Sequence, residues 1–336
     1  LLGAGDGIEY TNESVTANVQ FIEDMEINGR AVNLPGDAGN EQYAGNLAAD
    51  CKYQGLDLLI AMALGTAGAP VQQGTTAAYK HTWLLNDNVE GYYFTFALKK
   101  IPDSTPANGS VFEFAGGKVG GFQLSAAPGE RAKIQFPLLF HDHNENAGSG
   151  TNNMTTIETV TLPSVREFLK FGQMEVFLKA QGAGAYAAGD EVYVNNFTIN
   201  VERPFEPDYT TRYGTKIEEP ATNGFVKITG QVQFPTYATE NKPWFAAQLA
   251  KTVWKAKIVF TGPVIESPYN YSFTIWLSGL QFAEGTPNTG GPGKVPLTLN
   301  YSVSRTLADQ GDHPTGSGAA AIAIEVINQK STDALA

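Results

Sequence analysis

Residues 119–140, VGGFQLSAAPGERAKIQFPLLF, alternate with a period of two. Phe122, Leu124, Ala126, Ala132, Ile134, Phe136, Leu138 and Phe140 are apolar, and Gln123, Ser125, Arg131, Lys133 and Gln135 lie between them. Successive strand residues point to opposite faces, so this pattern specifies a strand pair with one dry and one wet face. Ala127-Pro128-Gly129-Glu130 supplies the turn, Pro presetting φ and Gly accepting positive φ. A related pattern comes late in the chain. Phe273, Ile275 and Leu277 alternate, and Leu280 and Phe282 continue after a slip at Ser278-Gly279. After a Gly/Pro-rich loop at 284–293, Leu297, Leu299, Tyr301 and Val303 alternate with Thr298, Asn300, Ser302 and Ser304. Two such hairpins suggest a duplicated β domain.

The remaining periodicities fall in the same order in both halves. In the first, a strand at 14–21 precedes a loop at 23–40 and a strand at 43–53. Leu56, Leu59, Ile60, Ala63 and Leu64 then form one stripe of an amphipathic helix, which Gly65 can end. Strands at 79–85 and 91–99 lead to the first hairpin. The second half has a strand at 192–201, a loop at 203–219, a strand at 225–234 and a helix at 241–253. Asn241 is placed to cap that helix, Pro243 fits its first turn, and Phe245, Leu249 and Val253 share a face. A strand at 255–260 leads to the second hairpin. The expectation is an all-β chain with one short helix per repeat of about 125 residues. Its parts are an arm (1–13), a first β domain (14–140), a linker or insertion (141–191), a second β domain (192–305) and a C-terminal extension (306–336). The apolar stretch 319–327 reads as an exchanged strand, a tail packed on a neighbour, or a frayed end.

Composition excludes several functions. A chain of 336 residues with net charge −12 does not work by neutralising phosphates. One cysteine, Cys51, allows no intrachain disulfide and reads as a small buried residue. No run of about 18 apolar residues occurs, so no transmembrane helix and no stable membrane insertion is expected. Leu1 with no basic segment ahead of an apolar run reads as a processed start and not a signal peptide. No Gly-x-Ser-x-Gly, His-Glu-x-x-His or phosphate-binding Gly-rich motif is present, so neither an enzyme nor a cofactor is expected. His141-Asp142-His143-Asn144-Glu145 is the one metal-like cluster; all its donors sit in one stretch with no distant partner, so a solvated loop is expected and no metal is assigned. Tyr92, Tyr209, Tyr213 and Tyr269 are candidates for a sugar site or for packing. A secreted two-domain carbohydrate-binding β-sandwich is therefore the alternative function.

Several stretches carry a resemblance. SVTANVQFIEDMEING (14–29), GNLAADCKYQGLDLLIAMALG (45–65), His81-Thr82-Trp83, GYYFTFAL (91–98) and the first hairpin resemble the opening of phage tail tube proteins. VYVNNFTINVERPFEP (192–207) is similar to the strand opening that family's second half. The long turn at 284–293 departs from its tight hairpin. The resemblance implies β-sandwich domains, each flanked by a helix and giving four strands to a continuous oligomeric barrel. It implies a structural virion protein of the tail, made in the host cytoplasm, whose stacked rings surround a channel for double-stranded DNA during ejection. Its partners would be its own copies, as trimeric pseudo-hexameric rings with a hexamer as the runner-up, and tape-measure, tail-terminator and distal tail proteins. Six domains of four strands would make a backbone ring about 45–50 Å across, wide enough for duplex DNA. The polar faces of the hairpins, Gln123, Ser125, Arg131, Lys133, Gln135, Thr298, Asn300, Ser302 and Ser304, would line the channel.

Overall fold

A computed structural model describes residues 7–25, 32, 34–100, 110–146, 160–289, 291–306, 311–314 and 320–335. The fold is all-β. In chain order the elements are β1 (Asn12–Glu13), β2 (Thr16–Ile22), β3 (Asp37–Asp50), α1 (Asp57–Leu64), β4 (Val71–Gln72), β5 (Tyr79–Leu84), β6 (Phe94–Lys100), β7 (Ser110–Val119), β8 (Gly121–Ala126), β9 (Lys133–Phe140) and β10 (Asp142–Asn146). They continue with β11 (Met174–Ala180), β12 (Glu191–Val192), β13 (Asn196–Glu202), β14 (Phe205–Glu206), β15 (Ala221–Thr222), β16 (Lys227–Phe234), α2 (Lys242–Ala250), β17 (Trp254–Glu266), β18 (Tyr269–Glu284), β19 (Leu297–Ser304) and β20 (Ile322–Asn328).

Eight strands form one antiparallel run in the order β2, β3, β9, β8, β13, β16, β19, β18. The middle joint, β8 to β13, pairs Gly121–Ala126 with Phe197–Glu202 over six residues. Gly121 starts β8 at φ +114°, and a Cβ there would lie 1.9 Å from the Val201 carbonyl oxygen. Only glycine permits that approach. Gly230 in β16 serves packing instead. The Tyr301 ring crosses it, and the Tyr301 hydroxyl donates to the Thr198 carbonyl at 2.8 Å.

Two long segments leave this run and carry further strands. β7 passes into β8 through Gly120, and its body pairs with β6 and β10. β18 changes partner at the slip expected near Ser278-Gly279. Its residues 272–277 pair with β20, and from Gly279 it pairs with β19. β17 runs along the other side of β18, with a bulge between Trp254 and Ala256. β11 adds to β17, and β20 is flanked by β5. The apolar faces of both groups and α1 meet in one core that includes Leu124, Ile134, Phe136, Ile199, Phe260, Ile275, Phe282 and Leu299. Among the described residues the sheet does not close on itself as a barrel.

Several local expectations need correction. The strand expected from residue 43 begins at Asp37, inside the expected loop. The α1 stripe is real, but the helix is buried on nearly every side, Leu58 alone being half-buried. Gly65 ends it in the left-handed conformation, at φ 81°. Asn241 precedes α2 without capping it. Its side chain accepts from the Ala238 N–H and donates to the Thr236 carbonyl, so it is committed to the preceding turn. The α2 face is not a buried stripe, because Leu249 stands 68% exposed and Ala247 alone is buried. The described part of 319–327 is not frayed: within the chain β20 is an interior strand, with Ile322, Ala323 and Ile324 all buried. Burial on both faces removes the alternation that would have marked it. Cys51 is fully buried, which pushes its thiol up to about 12.

Candidate functional site: a polar sheet face

Directly opposed residues of antiparallel strands share a face. The register therefore assembles polar rows across the eight-strand run. One row is Gln135, Gln123, Asn200, Thr229, Ser302 and Gln281. The next is Lys133, Ser125, Thr198, Gln231 and Asn300. Thr298, opposite Gln233, and Ser304, opposite Gly279, lie toward the two ends of β19 on the same face. Eight of the nine residues singled out from the sequence thus share one surface. The ninth, Arg131, lies before β9 in an isolated bridge to Lys170. The opposite face is dry: Phe122, Leu124, Ile134, Phe136, Leu297, Leu299 and Tyr301 are all buried.

Sequence reasoning about two hairpins overlooked the centre of this surface. Thr198 and Asn200 of β13, with Thr229, Gln231 and Gln233 of β16, join the two hairpins. Their signal was present as the polar members of alternations around Phe197, Ile199 and Val201, and around Ile228 and Val232. Side-chain bonds tie the surface together. The Gln231 amide donates to Asn300 Oδ1 at 3.0 Å, and the Asn300 amide donates to Glu284 at 2.8 Å.

The cations on and beside this surface are matched by anions. Arg131 pairs with Asp50 at 2.8 Å and stacks 3.8 Å over the Phe168 ring. Lys133 pairs with Glu130 at 2.6 Å, and that hydrogen bond raises the lysine pKa. Lys227 stands opposite Glu202. The surface is hydrophilic without a concentrated positive field.

The other candidates separate. Residues 142–146 form a strand and not a loop. Asp142 pairs with Lys216 at 2.5 Å, the His143 ring lies 4.8 Å from that of Phe114, and the His141 ring bonds to the Ile217 carbonyl. Alternation puts Asp142 and His143 on opposite faces, and no group of three His, Cys, Asp or Glu able to hold a metal occurs among the described residues. Tyr209 and Tyr213 serve packing, the first donating to the Glu41 carbonyl and the second edge-on to His141.

The eight-strand run thus carries one polar face and one buried apolar face. The family model for the phage tail tube protein matches residues 3–303. The chain belongs to this family. No curated protein matches it. Membership makes it a structural protein of the virion tail, and the family assembles with other tail proteins into a tube. Among the described residues no helix is long and apolar enough to cross a membrane.

Proposed function

We propose that three copies of this tail tube protein close a ring whose polar sheet face lines a channel for double-stranded DNA, and that rings stack into the tube. The observation that carries this is the β8–β13 joint. It splices two four-strand units, β2–β3–β9–β8 and β13–β16–β19–β18, which have the same order and similar connections. In each, a strand crosses from the outer group into the run, β7–β8 in one and β18 in the other. A further strand flanks it, β10 or β20. Each repeat thus extends one strand beyond the hairpin, to Asn146 and to Asn328.

The same joint, made between chains, would unite the end of β18 with β2 of the next copy. β2 is suited to this. Its Ala17 and Val19 stand opposite Tyr43 and Glu41 on the core side, yet Val19 is 49% exposed, whereas Phe197, Ile199 and Val201 at the equivalent place in β13 are buried. At the other side, Lys251 donates to the carbonyls of Phe282 and Ala283 near the end of β18. Lysine there blunts a strand edge until a neighbour pairs with it. Eight strands from each of three copies give about 24, a barrel wide enough for duplex DNA. Tape-measure protein would occupy the channel before DNA, with terminator and distal tail proteins at the two tube ends. Electron microscopy and mass measurement of purified rings test the reading. Three chains per ring are expected; six chains, or monomers with no ring, refute it.

A further inference from the structure

The two halves of the eight-strand run match residue by residue. Gly45 of β3 faces Leu138, and Gly230 of β16 faces Tyr301. At both glycines a Cβ would press on a carbonyl oxygen of the strand alongside, that of Ser14 at 2.4 Å and that of Thr198 at 2.2 Å. Ser14 therefore matches Thr198, Val15 matches Ile199, and along the same register Val19 matches Arg203. On the other side, Val119 faces Leu138 and Phe282 faces Tyr301, so the residues that follow, Gly120 and Ala283, correspond. The internal joint starts there: the Arg203 N–H donates to the Gly120 carbonyl at 2.9 Å. The same bond between copies would run from the Val19 N–H to the Ala283 carbonyl.

Within one chain that carbonyl is already taken. Lys251 Nζ donates to it at 2.7 Å and reaches the Phe282 carbonyl at 3.3 Å. The Gln281 side chain donates back to the Lys251 carbonyl at 2.9 Å. Lys251 ends α2 at φ 53° and is the one non-glycine residue with positive φ among those described. The helix of the first half, α1, ends on Gly65, which suits that conformation. A lysine there carries backbone strain. What it offers in exchange is an ammonium on the open edge of β18.

The open edge of β2 is covered as well. Alternate residues of an antiparallel strand turn their N–H and C=O groups to opposite sides. Ser14 donates across to the Asn46 carbonyl of β3, so Val15, Ala17 and Val19 turn outward. Ile199, in the place of Val15, faces Leu124 of β8. The Val15 N–H instead donates to the Glu13 carboxylate at 3.1 Å, and Lys100 anchors that carboxylate at 2.8 Å. An anion thus covers a donor on one edge, and a cation covers an acceptor on the other.

We propose that Glu13 and Lys251 are autoinhibitory caps. Each occupies a backbone group that the seam between copies requires, so two chains pair only after both side chains swing away. The occupant that replaces each cap is the complementary edge of a second copy. This rests on the ring reading above and adds its control. Open edges pair indiscriminately, into open arcs as well as closed rings, and the caps slow that pairing.

The test uses the purified full chain. Lys251→Gly removes cap and strain together and keeps the fold, as Gly65 does for α1. Lys251→Met removes the cap alone, and Glu13→Ala clears the other edge. Each should speed the initial pairing of chains about tenfold at fixed concentration, measured by light scattering, at the low end for a hydrogen bond to a charged group. Hydrogen exchange reads the edge directly. The Val15 amide should be slow in the wild-type subunit, faster in Glu13→Ala, and slow again in rings of either. Pairing at or below the wild-type rate in folded variants overturns the caps and leaves the ring intact. Wild-type chains that stay monomeric at every concentration overturn the ring. The caps then stand if the double variant Glu13→Ala and Lys251→Gly associates into open oligomers, and fall if it too stays monomeric.

Discussion

Changing Glu219 to Gln tests the anchor that holds down the β13–β16 connection. Lys118 of β7 is 1% exposed, with its ammonium 2.6 Å from Glu219 Oε1, 2.8 Å from the Val89 carbonyl and 4.4 Å from the Tyr93 ring centroid. Gln keeps the shape but leaves a buried ammonium without a counter-charge. Breaking a buried pair in this way costs about 3–5 kcal/mol. The Glu219 side chain is 26% exposed, so the lower part of that range, about 3 kcal/mol, applies. Lys118→Met alone should cost about 1–2 kcal/mol, because Glu219 keeps water and the Gly91 N–H, which donates to it at 2.8 Å. The double variant should cost less than the sum, with a coupling of about 2 kcal/mol. Urea unfolding followed by tryptophan fluorescence measures all three. Additive losses, or a Glu219→Gln loss under about 0.5 kcal/mol, refute the reasoning. A pH arm is independent. Burial pushes the Glu219 carboxyl up, but hydrogen bonds from Lys118, Tyr93 and the Gly91 N–H outweigh it and hold the pKa below the ordinary 4.5. A depressed carboxylate adds stability above pH 4.5 that is lost as pH falls through the folded value. Glu219→Gln should flatten that acid limb.

Further outcomes follow from the sheet face and core. Gln135→Cys should react with a maleimide in the folded subunit and Ile134→Cys should not; the reverse pattern would show that the faces are inverted. Ile134→Lys should yield insoluble protein, since it puts an ammonium into the core beside Leu124, whereas Gln135→Lys should change stability by less than about 0.5 kcal/mol. Lysines at Gln123, Ser125 and Thr298 should leave tubes intact but slow DNA ejection in a salt-dependent way; an unchanged ejection rate would remove these positions from the channel. The Cys51 thiol, pushed up to about 12, should resist thiol reagents at pH 8 until the chain unfolds.

What was legible in the sequence follows the physics of exposure. The first hairpin could be read residue by residue because one face is wet and one dry, and a period of two encodes that contrast. β20 could not, because Ile322, Ala323 and Ile324 are covered on both sides. The start of β3 was hidden by polar and small residues from Asp37 to Gln42, which suit a loop as well as an exposed strand end. The polar rows were half visible: the hairpins supplied their flanks, and β13 and β16 supplied the centre once pairing was known. Charge balance was out of reach. The Arg131–Asp50 pair spans 81 residues, so no local pattern marks it. Asn241 had the right residue type and position for a cap, but a nearer turn claimed its side chain.

The β8–β13 joint also bears on how fast a ring can appear. Both strands belong to one polypeptide, so this seam forms as the chain folds, at the roughly millimolar effective concentration of tethered partners. In the proposed ring, three copies then need two encounters before closure, where six separate units would need five. The rate of forming the first ring falls with a lower power of subunit concentration, and fewer partial arcs accumulate. If the proposed ring forms, a fused pair reaches closure at low subunit concentration sooner than its separated halves would.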